Sequence, residues 1–199
     1  MMARIILAST SPTRVGLLRA AGIPFEAMPP GVDERAVEAP LVAQGAGAGR
    51  IAQALADAKA LAVSERVPGA HVIGADQTLS CEGQQWHKPK SGAEAKVQLL
   101  ALSGRTHELQ TGLAGARDGA VLWRHLDTAH LTMRTLSPAF VDDYLDAVGE
   151  AALGTVGAYS VEGRGIQLFE RIEGSHFTIL GLTMIPLLAW LRAEGVVQG

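Results

Sequence analysis

Four short stretches of this chain combine residue types that could act on a phosphate group. The first is Ser9-Thr10-Ser11-Pro12-Thr13-Arg14, directly after the apolar run Ile5-Ile6-Leu7-Ala8. A buried strand that empties into a hydroxyl-rich turn, with proline at the first helical position, presents unpaired backbone N–H groups at the positive end of a helix dipole. Arg14 adds a planar fork of donors matched to phosphate oxygens. The same residues also suit a plain helix cap with a solvated arginine, and the pattern leaves both open. The second stretch, Gly74-Ala75-Asp76-Gln77-Thr78, sets a carboxylate at the end of the strand-like run His71-Val72-Ile73-Gly74. Carboxyl ends of strands are where α/β proteins open ligand crevices, and an aspartate there can hold a divalent cation or take a proton from water. An Asx turn is the ordinary alternative. Third, Lys88-Pro89-Lys90 places two ammonium groups beside a stiff proline, which could hold a triphosphate tail or stand as a solvated turn. Fourth, Asp33-Glu34 pairs two carboxylates that could complete a metal site or simply face water.

Other reactive residues offer less. The six histidines, His71, His87, His107, His125, His130 and His176, show no H-x-x-x-H spacing of the kind that sets two imidazoles on one helical face. Cys81 is the one cysteine, which excludes an intramolecular disulfide or a cysteine-cluster zinc site and suits a reducing compartment. A phosphate-cradling G-x-x-x-x-G-K-[ST] loop is absent, and Gly163-x-Gly165 lacks the third glycine of a dinucleotide fingerprint.

The elements that must position these groups alternate between strand and helix. Ile5–Ala8 and His71–Gly74 read as strands buried on both faces. Pro24–Pro30 reads as extended. Helices are expected from Ser11-Pro12 to Gly22, within a long Ala-rich pattern from Leu41 to about Val63, after Ser91, after Ser137-Pro138, and from about Thr183 to Ala193. Glu82-Gly83 and Asp118-Gly119 read as hairpin turns, joining Thr78–Cys81 to Gln85–Trp86 and His107–Ala116 to Ala120–Met133. A further strand is expected over Ile166–Ile172. That alternation predicts an α/β fold with a mixed sheet.

Composition narrows the function. At 199 residues with 48% hydrophobic and 19% charged residues, the chain can bury a sizeable core and is not globally disordered. Only 5% of residues are aromatic, which argues against a base-stacking surface for single-stranded nucleic acid. A net charge of −3 removes any general attraction for nucleic acid or anionic lipid, so phosphate binding must be local. The apolar run near the amino terminus is too short for a signal-peptide core, and Leu182–Leu191 is interrupted by Thr183 and Pro186, short of the roughly 20 residues that span a bilayer. The expectation is a soluble, cytoplasmic protein.

In order along the chain, these pieces resemble the Maf family of nucleoside triphosphate pyrophosphatases. The resemblance rests on Leu7-Ala8-Ser9-Thr10-Ser11-Pro12-Thr13-Arg14, Val32-Asp33-Glu34, Ala58-Lys59-Ala60, Gly74-Ala75-Asp76-Gln77 and Lys88-Pro89. It continues through Leu102-Ser103-Gly104, Thr111-Gly112, Gly157-Ala158-Tyr159, Glu162-Gly163 and Ile172-Glu173-Gly174 to Gly181-Leu182. It implies one domain over residues 1–199, with a mixed twisted sheet, flanking helices and two lobes around a deep cleft. It implies hydrolysis of a nucleoside triphosphate to the monophosphate and pyrophosphate with a divalent cation, Mg²⁺ or Mn²⁺. The family's proton-accepting carboxylate maps to Asp76. The phosphate-handling residues map to Ser9, Ser11, Arg14, Lys59 and Lys88, and the metal-binding carboxylates to Asp76 with Glu34 or Asp33. The partner implied is a small nucleotide, with no nucleic acid and no membrane, and a homodimer is an assembly the resemblance allows.

Within the family the segments Ser9-Thr10-Ser11-Pro12, Asp76-Gln77 and Glu162-Gly163-x-Gly165-Ile166-x-Leu168-Phe169-Glu170-Arg171 are nearer to the branch acting on 7-methyl-GTP. The positions linked to base choice are Thr13, Gln77 and Glu162. Two positions depart from the pattern. Thr13 is neither the arginine of the dTTP/UTP branch nor a bulky aromatic, and Thr155 stands where many members carry lysine. Three alternatives stay open: a dTTP/UTP or broad-specificity housecleaning pyrophosphatase, a nucleotide-sensing regulator of cell division without turnover, and a generic Mg²⁺ phosphatase. Physics favours 7-methyl-GTP, because N7-methylation makes guanine cationic and Glu162 offers a carboxylate where glutamine would be neutral. At an effective dielectric near 20 and about 4 Å the attraction is a few kcal/mol before desolvation, and a third of that is roughly tenfold in preference.

Overall fold

The computed structural model describes residues 4–198. Seven strands form one mixed sheet in the order β2-β1-β3-β5-β6-β7, with β4 paired to β3 off that path. Strand β1 (Ile5–Leu7) runs parallel to both β2 (Glu26–Ala27) and β3 (His71–Cys81), while β4 (Gln84–Trp86) is antiparallel to β3. Strands β5 (Thr106–Arg117) and β6 (Ala120–Met133) meet at Asp118-Gly119, and β6 pairs antiparallel with β7 (Phe169–Glu173). Both hairpin turns carry left-handed backbone at their two central residues, φ 51° and 80° at Glu82-Gly83 and 50° and 76° at Asp118-Gly119. That is the turn whose twist matches the flanking strands. The chain divides into two compact units, one of residues up to Gln77, Gln110–Asp127 and from Ser175 onward, the other of Thr78–Leu109 and Thr128–Gly174. Strands β3, β5 and β6 contribute residues to both.

In the first unit β1 is buried on both faces, as its unbroken apolar run predicts. Ile5 and Leu7 join Ile73, Ala75 and Leu113 against α1 (Pro12–Ala20) and α7 (Met184–Ala193), through Leu18, Leu187, Trp190 and Leu191. Ile6 and Ala8 face the other way, with Val72, toward Val63 of α3 (Ala48–Ser64) and Val67 just beyond it. Each fully buried leucine or isoleucine here contributes about 1.5–3 kcal/mol. Helix α3 presses its backbone onto the sheet at two glycines. A Cβ at Gly74 of β3 would sit 2.2 Å from the Ala56 carbonyl oxygen, and one at Gly112 of β5 2.7 Å from the Gln53 nitrogen. Only glycine allows that approach.

The Ala-rich pattern from Leu41 to Val63 is two helices rather than one. Helix α2 (Glu34–Ala43) starts earlier, because the Asp33 carboxylate caps it by accepting the Arg35 and Ala36 N–H groups at 3.1 and 3.2 Å. It ends at Gln44 before Gly45, whose φ of 72° is left-handed, and Gly47 opens α3.

The second unit packs α4 (Gly92–Leu102) against α5 (Pro138–Val148), each capped by the expected serine, Ser91 and Ser137. Its core includes Leu79, Leu99, Leu102, Leu131, Met133, Val141 and Leu168. The strand expected over Ile166–Ile172 begins only at Phe169. Before it, Arg164–Leu168 winds as a 3₁₀ helix, with the Gly165 backbone close enough to Ser160 that a Cβ there would lie 2.5 Å from the Ser160 carbonyl oxygen. A one-turn helix, α6 (His176–Ile179), was not anticipated. No helix among the described residues is long and apolar enough to cross a membrane.

Candidate functional site

Three helices and one strand of the first unit bring four of the expected residues together. Asp76 lies near the middle of β3, not at a strand's carboxyl end as expected, because the strand continues past Gly74 to Cys81; Lys59 is on α3, Glu34 at the first turn of α2 and Arg14 in the first turn of α1. The Lys59 ammonium donates to Asp76 Oδ1 at 2.6 Å and reaches Glu34 Oε1 at 2.7 Å. The Lys59 and Asp76 side chains are only 8% and 12% exposed, whereas that of Glu34 is 56% exposed. The buried pair is therefore shielded, and its outer partner is wet.

Arg14 is held by backbone. Its Nε donates to the Gly181 carbonyl at 2.8 Å and its Nη1 to the Ala75 carbonyl at 2.9 Å, one residue before Asp76. The solvated arginine that the sequence left open is thus replaced by one with a fixed direction. Burial pulls the guanidinium down from the ordinary arginine range, while the Asp76 and Glu34 carboxylates pull it back up. Burial likewise lifts the Asp76 carboxyl above its usual range. The charges of Lys59 and then Arg14 oppose that rise, and Glu34 adds to it. A carboxylate raised by burial yet flanked by two cations is a common arrangement for a group that must accept a proton.

The hydroxyl-rich turn is engaged in its own backbone. Ser11 caps α1 by accepting the Arg14 N–H at 3.5 Å, and buried Ser9 accepts the Ser11 N–H at 3.2 Å. The turn caps the helix, as one reading of the sequence has it, but its arginine is held by backbone carbonyls rather than solvated. Thr13 is exposed on α1. Gln77 is fixed by a network that the sequence did not announce. Its Nε2 donates to Thr111 Oγ1 at 3.0 Å and to the Thr178 and Ile179 carbonyls at 2.7 and 3.1 Å. Thr111 Oγ1 donates to the Thr178 carbonyl at 2.8 Å, and Thr178 Oγ1 donates to Asp127. Two carbonyl acceptors set the amide orientation. Thr111-Gly112 was visible as a motif, but Thr178 and Asp127 carry no local signal of this role.

The remaining expected residues belong to the second unit. Lys88 is exposed and lines, with Trp86, Lys90 and Val97, a pocket of about 460 Å³ between β4 and the start of α4. Glu162 is exposed in the turn that precedes the 3₁₀ helix. In that setting a carboxylate's attraction for any nearby cation approaches its value in water, about 1 kcal/mol or roughly fivefold, rather than the larger factor a low dielectric allows.

Among the described residues no group of three or more His, Cys, Asp or Glu side chains could cage a metal ion. The donor set still fits a divalent cation shared with a substrate. Asp76 and Glu34 already converge on one positive charge, the Lys59 ammonium. Mg²⁺ is commonly held by one or two carboxylates with phosphate oxygens and water completing its shell. Asp33 has its Oδ1 committed to capping α2.

The family model described as Maf-like protein matches residues 4–194. The 7-methyl-GTP pyrophosphatases of Mesorhizobium japonicum and Brucella suis are 54% and 53% identical to this chain over 199 residues, spanning all of both sequences. A nucleoside triphosphate pyrophosphatase of Nitrobacter winogradskyi is 53% identical over 197 residues, 98% of this chain and 95% of its own. Among solved structures, a HAM1 protein from Coxiella burnetii matches 66% of this chain and 73% of its own at 17% identity, with a TM-score of 0.43.

Proposed function

This chain belongs to the Maf family, and on that premise we propose that it hydrolyses nucleoside triphosphates to the monophosphate and pyrophosphate, with 7-methyl-GTP as the preferred substrate. The observation that carries the chemistry is the buried Asp76 carboxylate with Lys59 and Arg14 beside it. Asp76 Oδ1 is occupied by Lys59, and Oδ2 is the oxygen that takes a proton from the attacking water. The water oxygen bonds to the α-phosphorus, and the bond from that phosphorus to the bridging oxygen breaks, releasing pyrophosphate. Arg14, whose direction is set before substrate arrives, and Lys59 offset the negative charge gathered on the departing group. A divalent cation, when bound by Asp76 and Glu34, supplies further charge neutralisation on the phosphates and polarises the attacked phosphorus. Gln77 Oε1 favours a base edge that offers donors, and Glu162 favours a cationic base.

A panel of nucleoside triphosphates, 7-methyl-GTP and dTTP among them, with Mg²⁺ and Mn²⁺ and a direct pyrophosphate readout, tests this. Orthophosphate as the first product refutes the chemistry, and higher kcat/KM on dTTP or UTP refutes the substrate. Comparing Glu162→Gln with the unaltered chain on 7-methyl-GTP and GTP tests the role of the carboxylate in base choice.

A further inference from the structure

A buried histidine–tyrosine pair, used by no step of that reaction, braces the loop that carries Glu162. His107 on β5 is fully buried, Tyr159 is 6% exposed, and His107 Nε2 lies 2.6 Å from the Tyr159 hydroxyl oxygen. Phe169 closes the cluster, its ring 4.8 Å from that of Tyr159 at 79° and 6.0 Å from the imidazole. Burial lowers the imidazole to about 4, so it is neutral near pH 7. His107 Nδ1 is buried without a partner. If Nε2 carried the proton, the tyrosine O–H would be a second buried group with nowhere to donate. With the tyrosine donating to Nε2, only the Nδ1–H is orphaned. The second arrangement is the cheaper one. Phenylalanine could fill this space but would leave the buried Tyr159 hydroxyl without an acceptor. What histidine adds is an acceptor aimed at one hydroxyl.

That hydroxyl anchors a loop held at several further points. The Tyr159 ring covers Gly157, where a Cβ would lie 2.1 Å from it. Ala158 has φ 59°, a left-handed conformation uncommon outside glycine, and its carbonyl accepts the Tyr144 hydroxyl at 3.2 Å. The Gln98 amide donates to the Val156 carbonyl. Beyond Tyr159, Val161 is buried and Gly165 closes on the Ser160 backbone, so exposed Glu162 projects from a turn pinned on both sides.

We propose that His107, acting through Tyr159, is a positioning residue for base recognition: it holds residues 157–163 so that Glu162 is presented to the nucleotide base. This rests on the reading of Glu162 given above. Tyr159→Phe keeps the ring and removes the hydroxyl. It is expected to raise KM for 7-methyl-GTP about two- to tenfold, the worth of one hydrogen bond, with kcat changed less than twofold. The 7-methyl-GTP over GTP ratio of kcat/KM should fall by up to about fivefold, the most that exposed Glu162 supplies. His107→Phe should match it, and His107→Gln, which restores an acceptor, should recover part of the loss. Amide hydrogen exchange over 157–163 should quicken in Tyr159→Phe while that of β7 stays unchanged; this readout stands even if His107→Phe does not fold. Adding Tyr159→Phe to Glu162→Gln should lower the ratio no further than Glu162→Gln alone. Glu162→Gln lowering the ratio while Tyr159→Phe moves neither KM nor exchange overturns the brace alone. An unchanged ratio in Glu162→Gln overturns the reading of Glu162 and the brace with it.

Discussion

Replacing Lys59 with methionine removes the positive charge on which Asp76 and Glu34 converge while keeping a stem of similar length. Removing one partner of a buried ion pair costs about 3–5 kcal/mol, because the other charge is left uncompensated. Here the cost falls at the lower end, about 3 kcal/mol, since Asp76 is 12% exposed but Glu34, at 56%, can turn to water. For a chain of this size that is a fall of roughly 6–12 °C in Tm. The sign of the pH dependence follows from the same contacts. Burial already lifts the Asp76 carboxyl, and Lys59 is the largest influence opposing that lift, so the variant's carboxyl rises further. A group that binds its proton more tightly folded than unfolded costs stability as pH rises from its unfolded value, about 3.9, through its folded one. The penalty of Lys59→Met should therefore be full near neutrality and shrink on acidification toward pH 5. Urea unfolding of the parent, Lys59→Met, Asp76→Asn and the double variant, with chelator present, at pH 7 and pH 5, measures both effects. The double variant should recover more than 1 kcal/mol of the summed single losses. Additivity within about 0.5 kcal/mol at pH 7, or a Lys59→Met penalty that grows on acidification, refutes the coupled buried pair.

Asp76→Asn should lower kcat by about 10²- to 10⁴-fold with the far-ultraviolet circular dichroism of the fold retained, because the amide keeps the shape and cannot take the proton. Gly74→Ala should cost about 3 kcal/mol or more and lower activity along with stability, since its methyl would meet the α3 backbone at Ala56 and shift the helix that bears Lys59; unchanged urea midpoint and kcat would oppose this. His107 is depressed from 6.5 to about 4, so it contributes about 3 kcal/mol of stability that is fully present above pH 6.5 and lost as pH falls toward 4. His107→Phe should show a shallower acid loss than the parent in the same unfolding series, and parallel curves would contradict the burial of a neutral imidazole.

Much of this architecture was legible in local patterns. The apolar run Ile5–Leu7 announced a doubly buried strand, and serines before proline announced the caps of α1 and α5, because burial pattern and capping are written within a few residues. The Asp33-Glu34 pair reads equally as half of a metal site or as wet carboxylates. Only the backbone path of α2 showed that Asp33 caps while Glu34 reaches Lys59. Arg14 was identifiable as a cation near a helix start, but its anchors, Gly181 and Ala75, lie 167 and 61 residues away. The Thr178–Asp127 support of Gln77 was invisible for the same reason.

Residue order alone therefore specified the alternating elements, the caps and the family, since each depends on neighbours close in the chain or on an ordered set of short motifs. The tertiary structure decided which charges share a buried environment. That choice depends on α3 lying backbone-close on Gly74 and Gly112, which places Lys59 against Asp76 out of water and makes one lysine a partner of two carboxylates rather than a solvated surface charge.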